Sequence, residues 1–118
     1  MIPLISTPTE LELCRAAVIE AAEEILNRYG CSLEYKVGTM IELPRAAICA
    51  GGIAKHADFF SFGTNDLTQY VLAVDRGNDS VASLYSSAHP AVLRMVKDVA
   101  SAARHHGIDC SLCGEAAS

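Results

Sequence analysis

Short apolar runs alternate along this chain with longer segments in which apolar residues recur every three or four positions. The runs have the length of β-strands and cover residues 2–6, 33–42, 59–62 and 108–113. The periodic segments between them are typical of amphipathic helices. The resulting order, β-α-β-α-β-α-β, predicts an α/β fold with a parallel sheet and right-handed crossovers.

The first predicted helix has the clearest boundaries. Thr9 and Glu12 have the spacing of a capping box at its start, and Gly30 follows its last turn. One face carries charged residues, and we expect the opposite, apolar face to be buried. The residues of that apolar face are Leu11, Cys14, Val18, Ala21, Ile25, Leu26 and Tyr29.

Proline and glycine mark the boundaries of the remaining helices. A proline suits the first turn, where its missing N–H is not needed, and a glycine favours the end of a helix. The predicted elements are a helix from Pro44 that Gly51 and Gly52 weaken, a short helix over 67–74, a polar loop over 75–87, and a long helix from Pro90 to Gly107 capped by His89.

Four small or polar residues follow the third apolar run: Gly63, Thr64, Asn65 and Asp66. In a parallel α/β sheet, residues just past the carboxyl ends of the strands face the ligand crevice. The hydroxyl, amide and carboxylate of this segment therefore indicate one wall of a site for a metal and an anion. The alternative is an Asx-type turn in which Asn65 or Asp66 caps a helix that begins at Leu67.

Two other predicted strands also end in side chains that can do chemistry. Glu42 ends the second strand and Cys113 ends the fourth, so both are expected on the same rim as Asp66. The two carboxylates suit a hard cation such as Mg²⁺, which prefers oxygen ligands. Glu42 alone could instead interact with the dipole of the following helix. Cys113 could be a semi-exposed thiol that transfers a proton, or an inert buried thiol.

Two further residues have alternative interpretations. Arg76 could reach an anion bound at the metal, or it could form a surface salt bridge with Asp75 or Asp79. Cys110 and Cys113 have the spacing of a redox or zinc pair. Strand alternation, however, places them on opposite faces, and no second cysteine pair completes four zinc ligands.

Length, charge and cysteine content narrow the kinds of protein to which this chain can belong. The chain has 118 residues and 51% hydrophobic content, enough for a core but short of the roughly 250 residues of a full α/β barrel. A net charge of −5 without a basic patch argues against nucleic acid. No signal peptide is visible, and no apolar run approaches the roughly 20 residues of a membrane span. The five cysteines indicate a reducing cytosol, with Cys14, Cys31 and Cys49 as inert buried thiols.

Three segments resemble the C-terminal barrel domain of the phosphoenolpyruvate (PEP)-utilising enzymes. Residues 37–47 are similar to the sixth strand of that (β/α)8 TIM barrel in its dikinase version, 59–69 to the seventh strand, and 113–115 to the eighth. The resemblance covers essentially the whole chain. It implies one partial domain over residues 1–118, made of strands 5 to 8, the C-terminal half of the barrel.

The resemblance also implies a function and a role for each site residue. The family transfers a phosphoryl group between PEP and an enzyme histidine, which lies on a separate domain outside this chain. The implied assignments are Glu42 and Asp66 for Mg²⁺, Gly63, Thr64, Asn65, Asp66 and Arg76 for PEP or pyruvate, and Cys113 for protonation of the enolpyruvate carbon on the face opposite the phosphoryl group.

Several alternatives stay open within and beyond this resemblance. Residues 1–69 look more like pyruvate, phosphate dikinase, and residues 70–117 more like enzyme I of the sugar phosphotransferase system; the longer block favours the dikinase. An inactive fragment or interaction module is the alternative of another class. Because half a barrel leaves open sheet edges, we expect a homodimer or pairing with the missing half-barrel.

Overall fold

From the first predicted helix onward, helices and strands follow one another in the predicted order, and a computed structural model describes residues 1–114 of the chain. The helices pack against one face of a short parallel sheet. The elements are α1 (Pro8–Tyr29), β1 (Thr39–Ile41), α2 (Pro44–Ile48), α3 (Ala50–Ile53), a 3-10 turn (Ala54–His56), β2 (Phe59–Gly63), α4 (Thr64–Leu72), a second 3-10 segment (Asp79–Leu84), α5 (Pro90–His106) and β3 (Asp109–Cys113).

Within residues 1–114 the sheet has three parallel strands in the order β1-β2-β3. Ile41 lies opposite Phe62, and Gly63 lies opposite Cys113. The carboxyl ends of all three strands therefore lie at one edge, followed in β1 directly by Glu42. This arrangement confirms the α/β class and is consistent with part of a β/α barrel.

The predicted strand over residues 2–6 is wrong. A single parallel bridge joins Ile2 to Thr39, and the chain then leaves the sheet. Pro3 has no N–H to donate, and Leu4 adopts a left-handed φ of 56°. The amide of Leu4 donates instead to Oε1 of Glu42, 2.8 Å away. Local apolar character predicted a strand here, but the backbone hydrogen bonds described between this segment and residues 38–40 involve only Ile2.

The second predicted strand, over residues 33–42, is reduced to Thr39–Ile41. Before the observed strand begins, the amide of Val37 donates to a side-chain oxygen, Oδ2 of Asp58, at 2.6 Å, and not to the backbone of a neighbouring strand. Leu33 and Tyr35, further upstream, are exposed to solvent. An extended segment without a neighbouring strand has no ladder to join, so only the last three residues pair with β2.

One face of the sheet packs against the helices. The register places Ile41, Phe60 and Phe62 on this face, and all three are buried. By strand alternation Met40 and Ser61 lie on the opposite face. The helical residues that complete the core are Leu11, Ala46, Ala47, Ala50, Ile53, Leu67, Val99 and Ala103.

Helix α1 differs from its prediction at both its start and its apolar face. The capping box is formed by Thr7 and Glu10 rather than Thr9 and Glu12, because the helix begins at Pro8. Leu11 is the one fully buried residue of the helix. The exposed fractions of other residues on the predicted apolar face include 42% for Val18 and 54% for Ile25. On this face only Leu11 is buried and Leu26 is partly buried, so the predicted burial is wrong for most of its residues.

Helix α2 begins at Pro44 as predicted, whereas the segment between β2 and α5 differs from the prediction. Helix α4 begins at Thr64 rather than Leu67, and the polar loop contains the 3-10 segment Asp79–Leu84. His89 caps α5 as predicted, with Nδ1 accepting from the Ala91 amide at 3.1 Å. No helix in residues 1–114 has both the length and the apolar content to cross a membrane.

Candidate functional site

The predicted site residues meet around Gly63 at the carboxyl edge of the sheet. A Cβ added to Gly63 would lie 2.8 Å from Cβ of Glu42 and 3.0 Å from its Oε2. The same added atom would lie 2.8 Å from Sδ of Met40. Glycine is therefore required at this position for the Glu42 side chain to lie across the end of β2. A shallow cavity of about 190 Å³ opens here, lined by Met40, Gly63, Thr64, Asn65, Asp66, Arg76, Cys113 and Gly114.

Helix α4 begins directly at this cavity. Gly63 occupies its N-cap position and no side chain caps the helix, so the Asx-turn alternative is wrong. Asn65 and Asp66 lie instead in the first turn, where the backbone N–H groups have no partner within the helix. The positive end of the helix dipole and these N–H groups favour a bound anion. This local geometry supports the anion half of the predicted site.

Glu42 is buried, with an exposed fraction of 4%. One hydrogen bond from residues 1–114 reaches its carboxylate, from the Leu4 amide to Oε1 at 2.8 Å. A buried carboxylate with so few partners is costly unless a cation or further donors compensate its charge. The helix that follows, α2, has five residues and begins at Pro44. The dipole interpretation accounts for neither the burial nor the contact with Gly63.

Asp66 and Arg76 form a salt bridge, with Oδ1 and Nη2 3.2 Å apart. The sequence suggested Asp75 or Asp79 as the partner of a surface Arg76, and the structure corrects this. Asp75 instead accepts a hydrogen bond at Oδ1 from the Gly77 amide, at 2.8 Å. Arg76 thus lies at the cavity, next to a predicted metal ligand.

Two residues that position the site were missed by the sequence reasoning. Oε1 of Gln69 accepts a hydrogen bond from the amide of Arg76 at 3.1 Å. Tyr85 donates its hydroxyl to the carbonyl oxygen of Asn65 at 3.1 Å. Both contacts join the segment after α4 to that helix. An aromatic residue in an otherwise polar loop was the signal that could have identified Tyr85.

The cysteines divide into those at the site and those away from it. Cys113 is exposed beside the cavity, as a thiol that transfers protons must be. Cys14 and Cys31 are also exposed, which corrects their prediction as buried thiols, and Cys49 is partly buried. Cys110 pairs with Phe60, so it lies on the helix-facing side of β3, opposite to Cys113. This agrees with the rejection of a zinc or redox pair.

The donor set fits a metal that needs few protein ligands. No group of three or more His, Cys, Asp or Glu side chains suitable for a metal occurs in the described part of the chain. Glu42, against Gly63, and Asp66, in the first turn of α4, are the two carboxylates that would supply oxygen ligands. Mg²⁺ is typically held by one or two carboxylates together with water and substrate oxygens. The pair therefore fits Mg²⁺ better than a metal that needs a closed protein cage.

The chain is similar to known proteins over its whole length. Residues 1–118 match the family described as "PEP-utilising enzyme, PEP-binding domain". A phosphoenolpyruvate-dependent phosphotransferase system protein of Escherichia coli (strain K12) is 42% identical over 118 residues, covering 99% of this chain and 16% of that protein. A probable phosphoenolpyruvate synthase of Pyrococcus abyssi is 45% identical over 121 residues, covering 100% and 14%.

A phosphoenolpyruvate-protein phosphotransferase of Bacillus sp. (strain S) is 44% identical over 119 residues, covering 99% of this chain and 20% of the relative. The chain therefore spans between one seventh and one fifth of the length of these curated relatives. The match over its whole length is what assigns the family: the chain belongs to the PEP-utilising enzymes and corresponds to their PEP-binding domain.

Proposed function

We propose that this chain is the PEP- and pyruvate-binding part of a Mg²⁺-dependent phosphotransferase that exchanges a phosphoryl group between PEP and an enzyme histidine. The observation that carries the proposal is that Gly63 contacts the buried carboxylate of Glu42 and also lines one cavity with the Asp66–Arg76 ion pair. These groups stand at the carboxyl edge of a parallel sheet, with Cys113 beside them. Such an edge is where α/β proteins bind ligands.

Glu42 and Asp66 would hold the metal, and the remaining lining groups would hold the substrate. When bound, Mg²⁺ would offset the negative charge that develops on phosphoryl and enolate oxygens. Arg76 and the backbone of the first turn of α4, at the positive end of the helix dipole, would bind the phosphate or carboxylate of PEP. The side chains of Asn65 and Thr64 and the close approach allowed by Gly63 would shape this pocket.

Cys113 would complete the reaction as a proton donor. Transfer of the phosphoryl group to the histidine breaks the bond between phosphorus and the enol oxygen and leaves enolpyruvate as an enolate. The thiol proton of Cys113 would then move to the terminal carbon of the enolate, which forms pyruvate. The thiolate would recover its proton from solvent, to which Cys113 is exposed. We expect Cys113→Ser, in a complete enzyme carrying these residues, to stop pyruvate formation but leave Mg²⁺ binding nearly intact.

The proposal is tested by calorimetric titration with Mg²⁺ and then oxalate, whose two carboxylates mimic enolpyruvate. Oxalate should bind in the presence of Mg²⁺, and Asp66→Ala should abolish this. Asp98→Ala removes a carboxylate from an exposed ion pair on α5 and serves as the matched control. Oxalate binding that ignores Mg²⁺, or that survives Asp66→Ala unchanged, would contradict the proposal.

The relatives do not distinguish the subfamilies. Identities of 42–45% occur with both a probable PEP synthase and PEP-dependent phosphotransferases. We keep a pyruvate, phosphate dikinase-like activity as the main proposal, with enzyme I as the alternative. Phosphoryl transfer to the histidine domain of either class, supplied separately, would decide between them. Transfer to neither would favour the inactive interaction module.

We also propose that this chain requires a partner surface. The exposed apolar residues of α1, among them Leu13, Val18 and Ile25, support the need for either a homodimer or the other half-barrel. Sedimentation at micromolar concentration should show a dimer or aggregates; a compact monomer that unfolds cooperatively would contradict the need for a partner.

We also propose that the protein lies in the reducing cytosol, which fits the five free cysteines.

A further inference from the structure

We propose that Arg76 is an internal counter-ion that occupies Asp66 until a cation displaces it, so that one arginine opposes metal binding and favours anion binding. The inference rests on the proposed function and concerns how the two ligands depend on each other. Its basis is the 3.2 Å contact between Nη2 of Arg76 and Oδ1 of Asp66. The carboxylate expected to bind the metal is already paired with a cationic side chain of the same chain.

The backbone of Arg76 is held in place while its side chain stays accessible. Its amide donates to Oε1 of Gln69, and the next amide, of Gly77, donates to Oδ1 of Asp75. The exposed fractions of the two paired side chains are 44% for Arg76 and 37% for Asp66. Release of Asp66 therefore requires a rotation of the Arg76 side chain about a fixed base, without rearrangement of the loop.

A cation and an anion affect the Asp66–Arg76 pair in different ways. A cation approaching Asp66 must displace the guanidinium, which lowers the affinity of the site for the cation alone. An anion bound at the first turn of α4 attracts the same guanidinium and leaves Asp66 available to the metal. Because linkage is reciprocal, each ligand raises the affinity for the other. Arg76 would thereby restrict tight Mg²⁺ binding to the state in which an anionic substrate is present.

The test first measures the affinity for Mg²⁺ in the absence of oxalate, and it requires no turnover. Arg76→Gln should tighten Mg²⁺ binding about two- to fivefold, the factor expected for loss of a partly exposed ion pair. The same variant should weaken oxalate binding in the presence of Mg²⁺. Arg94→Gln is the matched control, because it removes an equal charge from the Arg94–Asp98 pair on α5. It should change neither affinity.

A second measurement follows Arg76 in the wild-type protein. The side-chain guanidinium N–H signal of Arg76, assigned by its loss in Arg76→Gln, should shift and broaden through faster exchange with water when Mg²⁺ is added alone. A Mg²⁺ affinity in Arg76→Gln equal to that of Arg94→Gln, or a signal that saturating Mg²⁺ leaves unchanged, would overturn the inference and leave the proposed function standing. Failure of the wild-type protein to bind Mg²⁺, with or without oxalate, would overturn both.

Discussion

Thr64 donates a hydrogen bond from Oγ1 to the carbonyl oxygen of Cys113, 2.8 Å away. The contact joins the first residue of α4 to the last residue of β3, two positions 49 residues apart in the chain. Gly114 passes directly beside it, since a Cβ added there would lie 2.6 Å from the same hydroxyl. The candidate proton donor and the candidate anion-binding turn are thus held together by one buried side chain.

Thr64→Val should separate these two elements. The substitution preserves shape but leaves the Cys113 carbonyl without its donor, and we expect a loss of about 1 kcal/mol in the free energy of unfolding. Amide exchange in residues 109–114 should accelerate. Thr64→Ser keeps the hydroxyl and should retain most of the protection. Equal exchange rates in both variants would show that the bond does not hold β3 in place.

Gly63→Ala adds a single methyl group, but we expect it to lower both the stability of the fold and the affinity for Mg²⁺. The new Cβ would overlap Met40 and Glu42, and overpacking of this kind costs about 1–3 kcal/mol in unfolding free energy. Displacement of the Glu42 carboxylate should also weaken Mg²⁺ binding by roughly 10- to 100-fold. Gly51→Ala is the control, since a Cβ there meets nothing within 4 Å. Calorimetric titration of both variants checks the prediction, which fails if their Mg²⁺ affinities are equal.

Thr7→Ala should destabilise the chain by about 1 kcal/mol, because Thr7 is the N-cap of α1. Its Oγ1 accepts from the Glu10 amide at 3.3 Å, and Oε2 of Glu10 accepts from the Thr7 amide at 2.9 Å. Thr9→Ala alters an exposed residue inside the helix and should have little effect. Urea unfolding of the two variants compares them directly. A larger loss for Thr9→Ala would restore the capping box that the sequence alone suggested.

Asp58 should make stability depend on pH in the acid range. Partial desolvation raises the pKa of Asp58, but the Val37 amide, at 2.6 Å, and the Arg15 guanidinium, at 2.7 Å, outweigh it and lower the pKa below 3.8. A carboxylate with a lowered folded-state pKa stabilises the fold above its unfolded-state pKa. This stabilisation is lost as the pH falls through the folded-state pKa.

Asp58→Asn should therefore lower the free energy of unfolding by about 1 kcal/mol at neutral pH, a value limited by the partial exposure of the pair. The difference from wild type should shrink as the pH falls below 3.8. Asp98→Asn, in an exposed pair on α5, should show a smaller difference from wild type at neutral pH. A constant difference between Asp58→Asn and wild type across this range would show that the contribution of Asp58 is not electrostatic.

The sequence by itself determined the features that depend on neighbouring residues. Apolar periodicity predicted the long helices α1 and α5 and the strands β2 and β3, and His89 was correctly identified as a cap. Because parallel strands end at a common edge, the order of elements also brought Glu42, Asp66 and Cys113 to one rim. These features can be predicted from the sequence because the repeats of helices and strands span only a few neighbouring residues.

Only the tertiary structure decided which groups contact each other across the chain. Glu42 is buried against Gly63, and Leu4, 38 residues away, donates its amide to the carboxylate. Arg76 pairs with Asp66 and not with its neighbour Asp75. Most of the apolar face of α1 is exposed because burial requires an opposing surface, which residues 1–114 provide only at Leu11 and in part at Leu26. Such contacts depend on the positions of distant segments in space. A periodic pattern in the sequence describes neighbouring residues only and does not specify these contacts.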